Sequence, residues 1–290
     1  MRTVTIGMLG AMALVPAVLA AAQAEPIHML YLSKSVDFEH GPVALKDGKP
    51  SVSDVVLANL AGKLGATITC TKDASLINAA ELKEYQLVIF YTQGGLTQAG
   101  GKDGAPGMSG TGVAELIDWI KSGGGFIGFH SATDTFDSDA PEPSPYIKMI
   151  GAEFRTHGKQ FKGLMKVVDP DHPTMAHFPP EWALHDEWYL FRKFNRDAIR
   201  VLVTLDPGEE RAKQDNYNIP PYPVVWCSAL GEGRVYSTAL AHREDVWENP
   251  AFQEVALDAM KWALGQGEAK ATPNFHEIVP SADADAIEGK

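Results

Sequence analysis

The chain contains 290 residues, 45% of them hydrophobic, and its 37 acidic side chains outnumber 25 basic ones to give a net charge of −12. Without a cluster of Lys and Arg to follow a phosphate backbone, this charge speaks against nucleic acid as a partner. Two cysteines, Cys70 and Cys227, exclude a disulfide scaffold, although an oxidising compartment would permit one bridge. The length fits one large α/β domain.

The first residues have the pattern of a secretory signal peptide. Arg2 precedes an apolar run over 4–22, which ends in the small-residue sequence AQA at 22–24. A transmembrane anchor is the alternative, but Pro16 interrupts the run and a charged residue follows the small residues directly. The sequence therefore predicts a signal peptide over 1–24, a periplasmic or secreted mature chain, and no membrane association after cleavage.

Strand and helix patterns alternate through the first half of the remaining chain. Short apolar runs predict strands at 27–33, 66–72, 87–91 and 125–130, and helical spacing predicts helices at 53–65 and 112–125. This alternation is typical of a parallel sheet that is covered by helices on both faces.

The second half is less regular but contains a hairpin and a closing helix. Runs at 161–169 and 199–205 predict strands, and those at 222–230 and 233–242 are joined by a turn with two glycines. Asn249 caps a helix that begins with Pro250. We expect one domain over 25–265, followed by a loosely ordered acidic tail over 266–290.

Polar loops follow three predicted strands and are expected to meet at one edge of the sheet. They cover 33–40, 91–112 and 130–137, and ligands bind at this edge in open α/β sheets. The middle loop is long and rich in glycine, and we expect it to form a flexible wall. It lacks the GxxxxGK[ST] spacing of a phosphate-binding loop.

The sequence GGGFIGFHSATDTF at 123–136 places a His and a Ser directly after a buried strand. Many α/β enzymes hold a nucleophile at this place, on a sharp turn called the nucleophile elbow. Neighbouring side chains on an extended backbone point to opposite faces, so His130 and Ser131 are poorly placed to act on each other as base and nucleophile. The GxSxG spacing is absent, which speaks against a serine hydrolase.

Together with this sequence, six short motifs resemble the ThuA-like (trehalose utilisation) family. They are FEH at 38–40, THG at 156–158, DPDHP at 169–173, DEWY at 186–189, PVVW at 223–226 and LAH at 240–242. The resemblance implies a class I glutamine amidotransferase-like fold, a flavodoxin-like parallel sheet flanked by helices, here with the late β-hairpin as an extension. A His-Ser pair replaces the cysteine nucleophile of those amidotransferases, which excludes thiolate acyl transfer at this position. The chain departs from the family at Ala241, where glycine is usual.

Four histidines follow predicted strand ends, and we expect them to line one pocket: His40, His130, His157 and His242. Each histidine alone is more typical of a hydrogen-bonded loop residue or a packed ring. Together with nearby carboxylates they could polarise a sugar or bind a divalent metal such as zinc, with His40, His157 and His242 as candidate ligands. No motif such as HExxH supports the metal, so the sequence alone establishes no cofactor.

The candidate site residues fall into two groups. The catalytic candidates are His130, Ser131, Asp134 and Glu187. The candidates for substrate binding are His40, His157, Tyr189, Trp226 and His242. Asp134 is equally typical of a capping residue, and a tryptophan on an apolar strand such as Trp226 is usually part of the core.

The resemblance implies carbohydrate metabolism, in particular the handling of trehalose or other glycosides after oxidation to 3-keto sugars. A ketone acidifies the neighbouring C–H, so a base such as His130 or Glu187 could remove that proton and lead to isomerisation or elimination. Glycosidase action would need two carboxylates that flank the bond, which Asp134 and Glu187 keep open. A non-catalytic periplasmic sugar-binding module is the competing class, although titratable histidines favour an enzyme.

Overall fold

The computed structural model describes residues 26–138 and 140–289, so the predicted signal peptide at 1–24 lies outside the described residues. Among the described helices, none combines the length and the apolar character needed to cross a membrane. The strands are β1 (His28–Leu32), β2 (Thr67–Thr71), β3 (Leu87–Phe90), β4 (Gly125–Phe129), β5 (Glu153–His157), β6 (Phe161–Val167), β7 (Glu181–Asp186), β8 (Tyr189–Arg192), β9 (Arg200–Asp206), β10 (Tyr222–Leu230) and β11 (Gly233–Thr238). The helices are α1 (Val52–Lys63), α2 (Ala79–Leu82), α3 (Gly112–Lys121), α4 (Pro145–Ile150), α5 (Glu244–Trp247), α6 (Pro250–Ala263), α7 (Phe275–Ile278) and α8 (Ser281–Glu288).

The main sheet has a parallel half and an antiparallel half. Its strand order is β2-β1-β3-β4-β11-β10-β9-β6-β7, and the pairs from β2 to β11 are parallel. The pairs from β11 to β7 are antiparallel, and the β10–β11 hairpin joins the two halves. The order 2-1-3-4-11 matches the flavodoxin-like order 2-1-3-4-5. The predicted α/β fold with a late hairpin is therefore confirmed.

Alternation along the central strands creates two hydrophobic cores, one on each face of the sheet. Met29 and Tyr31 of β1 join the core beneath α1 and α6, whereas Leu30 and Leu32 join the core beneath α3 and α4. Because side chains alternate across a strand, a strand buried on both faces needs an uninterrupted apolar sequence. The run MLYL has this property.

Local signals set the ends of the longer helices. Ser51 accepts a hydrogen bond from the backbone N–H of Asp54, whose carboxylate accepts one from Ser51, and this capping box begins α1. Asn249 caps α6 with Pro250 at the first position, as predicted.

The hairpin turn at Gly231 has a φ of 62°, which favours glycine. Cys70 and Cys227 are both free thiols.

The prediction of a loosely ordered tail from 266 onward is wrong for the part of it that the structure describes. Residues 275–278 and 281–288 form α7 and α8, and Phe275, Val279, Ala284 and Ile287 are buried in the main core. The composition is acidic and rich in alanine, but these few apolar residues recur at helical spacing and pack against the sheet. Helix α8 also contacts β8.

A buried ion pair fixes the long loop between β3 and α3 to the end of β1. The Lys34 ammonium donates to the carbonyls of Gly100 and Ala105, each at 2.8 Å, and lies 3.4 Å from the Asp103 carboxylate. Asp103 also accepts from the backbone N–H of Ser35 at 2.6 Å. Both charged side chains are almost fully buried. The expectation of a flexible wall is therefore wrong, because this loop packs on the 33–36 segment.

Substitution of Lys34 should reveal how strongly the loop depends on this pair. We expect Lys34→Met to lower the free energy of unfolding by about 3–5 kcal/mol, because it leaves a buried carboxylate unpaired. Lys46→Met removes a lysine that is exposed and paired with Glu244, and should cost less than about 1 kcal/mol. Urea unfolding of both variants measures the difference, and equal losses would contradict a structural role for the buried pair.

Candidate active site

A cavity of about 370 Å³ opens at the carboxyl edge of the parallel strands. Its aromatic lining consists of Phe38, Phe154 and Tyr189. Its titratable lining consists of His40, Asp134, His157, Glu187 and His242. The segments after β1, β4 and β11 supply His40, Asp134 and His242, as expected for strands that lie side by side and end at one edge.

The turn after β4 has the strained backbone of an elbow. His130 follows the last residue of β4 and has a φ of 42°, in the left-handed region that residues other than glycine seldom adopt. Strain of this kind costs about 1–3 kcal/mol and is concentrated at functional sites. The His130 ring is fully buried, and its Nδ1–H donates to the Ala239 carbonyl at 2.9 Å. In neutral His130, this leaves Nε2 with a lone pair.

Three histidines and Glu187 lie close together at the base of the cavity. His130 Nε2 lies 3.1 Å from His242 Nδ1, which in turn lies 3.1 Å from Glu187 Oε2. His40 completes the group, since the donor atoms of the four residues all lie within 4.8 Å of one another. His157 is outside this group and contacts the other Glu187 oxygen, Oε1, at 3.3 Å. This group shares His40 and His242 with the predicted metal set but contains His130 and Glu187 instead of His157.

The environment keeps Glu187 charged and the buried histidines neutral. Burial would raise the pKa of Glu187, but the neighbouring His130 and His242 rings lower it well below its usual range. Burial lowers the pKa of His130, and burial together with the neighbouring His130 and His242 rings lowers the pKa of His40. A carboxylate with so low a pKa is a weak base, so Glu187 is poorly suited to remove a proton from carbon.

One buried carboxylate holds the two segments that carry Glu187 and His242. Asp186 accepts hydrogen bonds from the backbone N–H groups of Ala241 at 2.7 Å, Glu187 at 3.0 Å and Arg243 at 3.2 Å. The Ala241 carbonyl in turn accepts from the Tyr91 hydroxyl. Ala241 has a φ of 83°, which gives the physical reason for glycine at this place in the family.

Asp134 is the cavity carboxyl whose ionisation falls near neutral pH. Burial raises its pKa to about 7, against a hydrogen bond from Gln93 Nε2 at 3.1 Å that lowers it. The Gln93 Oε1 atom accepts from the backbone N–H groups of Asp37 and Phe38, both at 2.9 Å. Gln93 therefore links Asp134 to the segment that presents Phe38 at the cavity.

The small second sheet brings in the other wall of the cavity. Strands β5 and β8 pair antiparallel, with His157 directly opposite Tyr189. The Tyr189 ring packs on the His130 ring with their centroids 4.0 Å apart, and its hydroxyl lies 3.2 Å from His40 Nε2. Glu187 lies just before β8 and lines the same cavity as Tyr189, as their sequence spacing predicts.

The structure contradicts the sequence predictions for two residues. Ser131 is fully buried and is not part of the cavity wall, so its hydroxyl has no access to a ligand there. Trp226 is buried against Phe191 and Phe194, and its indole N–H donates to the Ile150 carbonyl at 2.8 Å. It is a core residue and does not stack on a ligand in this cavity. His130 does not line the cavity but contacts two residues that do, His242 and Tyr189.

Three residues that position or line the site were not singled out by the sequence. The Phe38 ring is 55% exposed and lies edge-on to His40, with centroids 4.8 Å apart. Phe38 belongs to the FEH motif, so the motif contained the signal. Asp186 belongs to the DEWY motif, but its role and that of Gln93 depend on backbone N–H groups of distant segments, which no sequence spacing reveals.

The pKa of Asp134 predicts a pH-dependent effect of its removal. A carboxyl whose pKa is higher in the folded chain than in the unfolded chain destabilises the fold increasingly as pH rises between the two values. We therefore expect Asp134→Asn to raise the free energy of unfolding by about 2 kcal/mol more at pH 8 than at pH 5. The protein is treated with a chelator beforehand, so that no bound cation affects the carboxyl. Asp118→Asn, at a carboxylate whose side chain is 78% exposed, is the control and should show little difference. Urea unfolding at both pH values measures the effect, and a larger gain at pH 5 would contradict the assignment.

Solved structures share this fold at low sequence identity. A ThuA-like protein from Bacteroides uniformis has a TM-score of 0.62 at 18% identity, over 87% of this chain and 98% of its own. A ThuA-like protein from Parabacteroides merdae also has a TM-score of 0.62 at 19% identity, over 83% of this chain and 91% of its own. A cytoplasmic protein from Salmonella typhimurium reaches 0.52 at 12% identity, over 82% and 98% of the two chains. These likenesses show the fold alone.

Sequence comparison gives the family. No curated protein matches this sequence. The profile of the ThuA family, described as trehalose utilisation, matches residues 35–263. This range includes the first-strand exit with His40, the elbow with His130, the small sheet with His157 and Tyr189, and the turn with His242. The chain therefore belongs to the ThuA (trehalose utilisation) family.

Proposed function

We propose that this chain is an exported enzyme that acts on a keto sugar, such as a 3-keto glycoside, by removing the proton beside the ketone. The observation that carries the proposal is Asp134, a carboxyl with a pKa near neutrality in a cavity lined by histidines and aromatic rings. The family's link to trehalose utilisation supports a carbohydrate as the substrate. Export is supported by the signal-peptide pattern at 1–24.

The size and lining of the cavity suit a small sugar. Its volume of about 370 Å³ lies at the lower end of the range for small-molecule sites. Phe38 exposes 55% of its surface and offers a ring face to the apolar C–H groups of a sugar. The remaining cavity groups can exchange hydrogen bonds with hydroxyls.

Asp134 is better suited than Glu187 or His130 to act as the base. General base catalysis is most efficient when the pKa of the base lies near the working pH, and burial places Asp134 there. Glu187 is held as an anion by its histidine partners, which weakens it as a base. His130 does not line the cavity. The proposed base is therefore Asp134, which replaces the two candidates favoured by sequence.

The proposed step breaks one C–H bond and forms an enediolate. Asp134 takes the proton from the carbon beside the ketone, and the electron pair of that bond moves to the ketone oxygen. The neighbouring His242 and His157 face this oxygen across the cavity and stabilise its charge. Return of the proton to the former ketone carbon, with transfer of the adjacent hydroxyl proton to the former ketone oxygen, moves the carbonyl to the neighbouring carbon and gives isomerisation. Return of the proton to a departing glycosidic oxygen gives elimination, and addition of water to the resulting enone completes a net hydrolysis.

The most direct test of this proposal is exchange of the acidic proton with solvent. We expect the mature wild-type chain to incorporate deuterium from D2O beside the ketone of a 3-keto glucoside, as followed by proton NMR. Asp134→Asn should slow this exchange by about two to four powers of ten, the usual contribution of a general base.

Asp118→Asn is the matched control, because Asp118 is an exposed carboxylate that neither lines the cavity nor contributes to the raised pKa of Asp134. It should leave the exchange rate within about twofold of wild type. Binding of the keto sugar by wild type without exchange would reject the enzyme and leave a sugar-binding module. Exchange that is undiminished in Asp134→Asn would reject Asp134 as the base.

A further inference from the structure

We propose that His40, His130, Glu187 and His242 form a binding site for one divalent transition-metal ion of the zinc type. One donor atom from each of these residues lies within 4.8 Å of the other three. The four residues come from segments far apart in the sequence, after β1, after β4, before β8 and after β11. The convergence is thus a product of the fold.

The arrangement of the three imidazole rings fits a shared central ion. Their centroids are separated by 5.0 Å (His40–His130), 5.2 Å (His40–His242) and 5.0 Å (His130–His242), with interplanar angles of 86°, 85° and 71°. A ring that ligates zinc through a bond of about 2.0–2.1 Å has its centroid about 3.2 Å from the ion. Tetrahedral angles between three such rings then separate their centroids by about 5.2 Å.

The donor atoms show similar agreement. Two ligand atoms at tetrahedral angles around zinc lie about 3.3 Å apart. His130 Nε2 lies 3.1 Å from His242 Nδ1, and Glu187 Oε2 lies 3.1 Å from His242 Nδ1 and 3.7 Å from His130 Nε2. These three distances bracket the expected edge of the tetrahedron, so small adjustments of the side chains would complete the site.

Hydrogen bonds alone do not satisfy this cluster. With its Nδ1–H donated to the Ala239 carbonyl, neutral His130 has a lone pair on Nε2. His242 Nδ1 carries at most one hydrogen and lies 3.1 Å from both this nitrogen and Glu187 Oε2, so it can satisfy only one of the two. Within the described residues, His40 Nδ1 is buried without a hydrogen-bond partner. A cation among these groups would satisfy the remaining lone pairs, and the His130–Ala239 bond is the outer-shell contact that metal-ligating histidines usually make.

The donor set selects the class of metal. Three imidazole nitrogens and one carboxylate suit zinc and neighbouring first-row ions, whereas magnesium and calcium prefer a shell of oxygen atoms. His40, Glu187 and His242 all line the cavity, so a ligand there reaches the ion directly. In a role that rests on the function proposed above, the ion would accept the ketone oxygen as an additional ligand and polarise the carbonyl.

The site is tested by metal content and affinity, without any substrate. We expect the chelator-treated wild-type chain to take up one zinc ion, as measured by elemental analysis after gel filtration and by titration calorimetry. His130→Asn and His242→Asn should each weaken zinc binding by more than about 100-fold, beyond the usual effect of losing an outer-shell contact. Asparagine is chosen at 130 because it tolerates the positive φ.

Two further histidine variants serve as controls for the cluster variants. His157→Asn removes the cavity histidine outside the cluster, and His177→Asn removes a half-exposed histidine that pairs with Asp258. Both should keep one zinc ion per chain, His177→Asn with an affinity within about threefold of wild type and His157→Asn, which loses a contact to the ligand Glu187, with a smaller loss than the cluster variants. Circular dichroism of each variant shows whether it is folded, and Glu187→Gln replaces any cluster variant that is not.

Wild type without bound zinc, or zinc binding that folded His130→Asn and His242→Asn retain, would overturn the site. Zinc binding that His157→Asn abolishes would overturn the assignment of the ligands. The result of the zinc-binding experiment does not depend on whether the proposed function is correct. A chain that binds zinc at this cluster but exchanges no proton of a keto sugar retains the metal site, whereas exchange by a zinc-free chain retains the function alone.

Discussion

The geometry of the site depends on one buried carboxylate. Asp186 is fully buried and accepts three backbone hydrogen bonds, from Glu187, Ala241 and Arg243. It therefore fixes the end of β7 against the turn after β11, two segments about 55 residues apart in the chain. Glu187 and His242 meet because their neighbours share this anchor. A buried carboxylate is costly unless its lone pairs are used, and here three donors use them.

Strained backbone at two places completes the arrangement. His130 and Ala241 have φ values of 42° and 83°, and each such residue costs about 1–3 kcal/mol. Packing provides the compensation, since the main core includes Phe129, Ala239, Leu240 and Trp247 around these turns. The strain turns the His130 ring beneath the cavity and brings His242 to its edge. The elbow that holds a nucleophile in other α/β enzymes here presents an imidazole to other imidazoles.

The sequence predicts the fold well and the site in part. Apolar runs and capping residues locate β1, α1, β4, the late hairpin and α6, because these signals are local. The strands β5 and β7 and the tail helices are missed, because their burial depends on contacts with distant segments. The four histidines are found from their places after strand ends. The buried position of Ser131, the core packing of Trp226 and the anchoring by Asp186 and Gln93 follow from tertiary contacts alone.

The central claim is that a keto sugar binds with its ketone over the histidine cluster and its acidic C–H toward Asp134. A crystal structure of Asp134→Asn with a 3-keto glucoside measures this directly, because we expect the variant to retain the cavity and to slow turnover. The account predicts the ketone oxygen beside His242 and His157, the acidic carbon within about 3.5 Å of the residue 134 side chain, and the sugar ring against Phe38. A sugar bound outside this cavity, or with its ketone turned to solvent, would contradict the account.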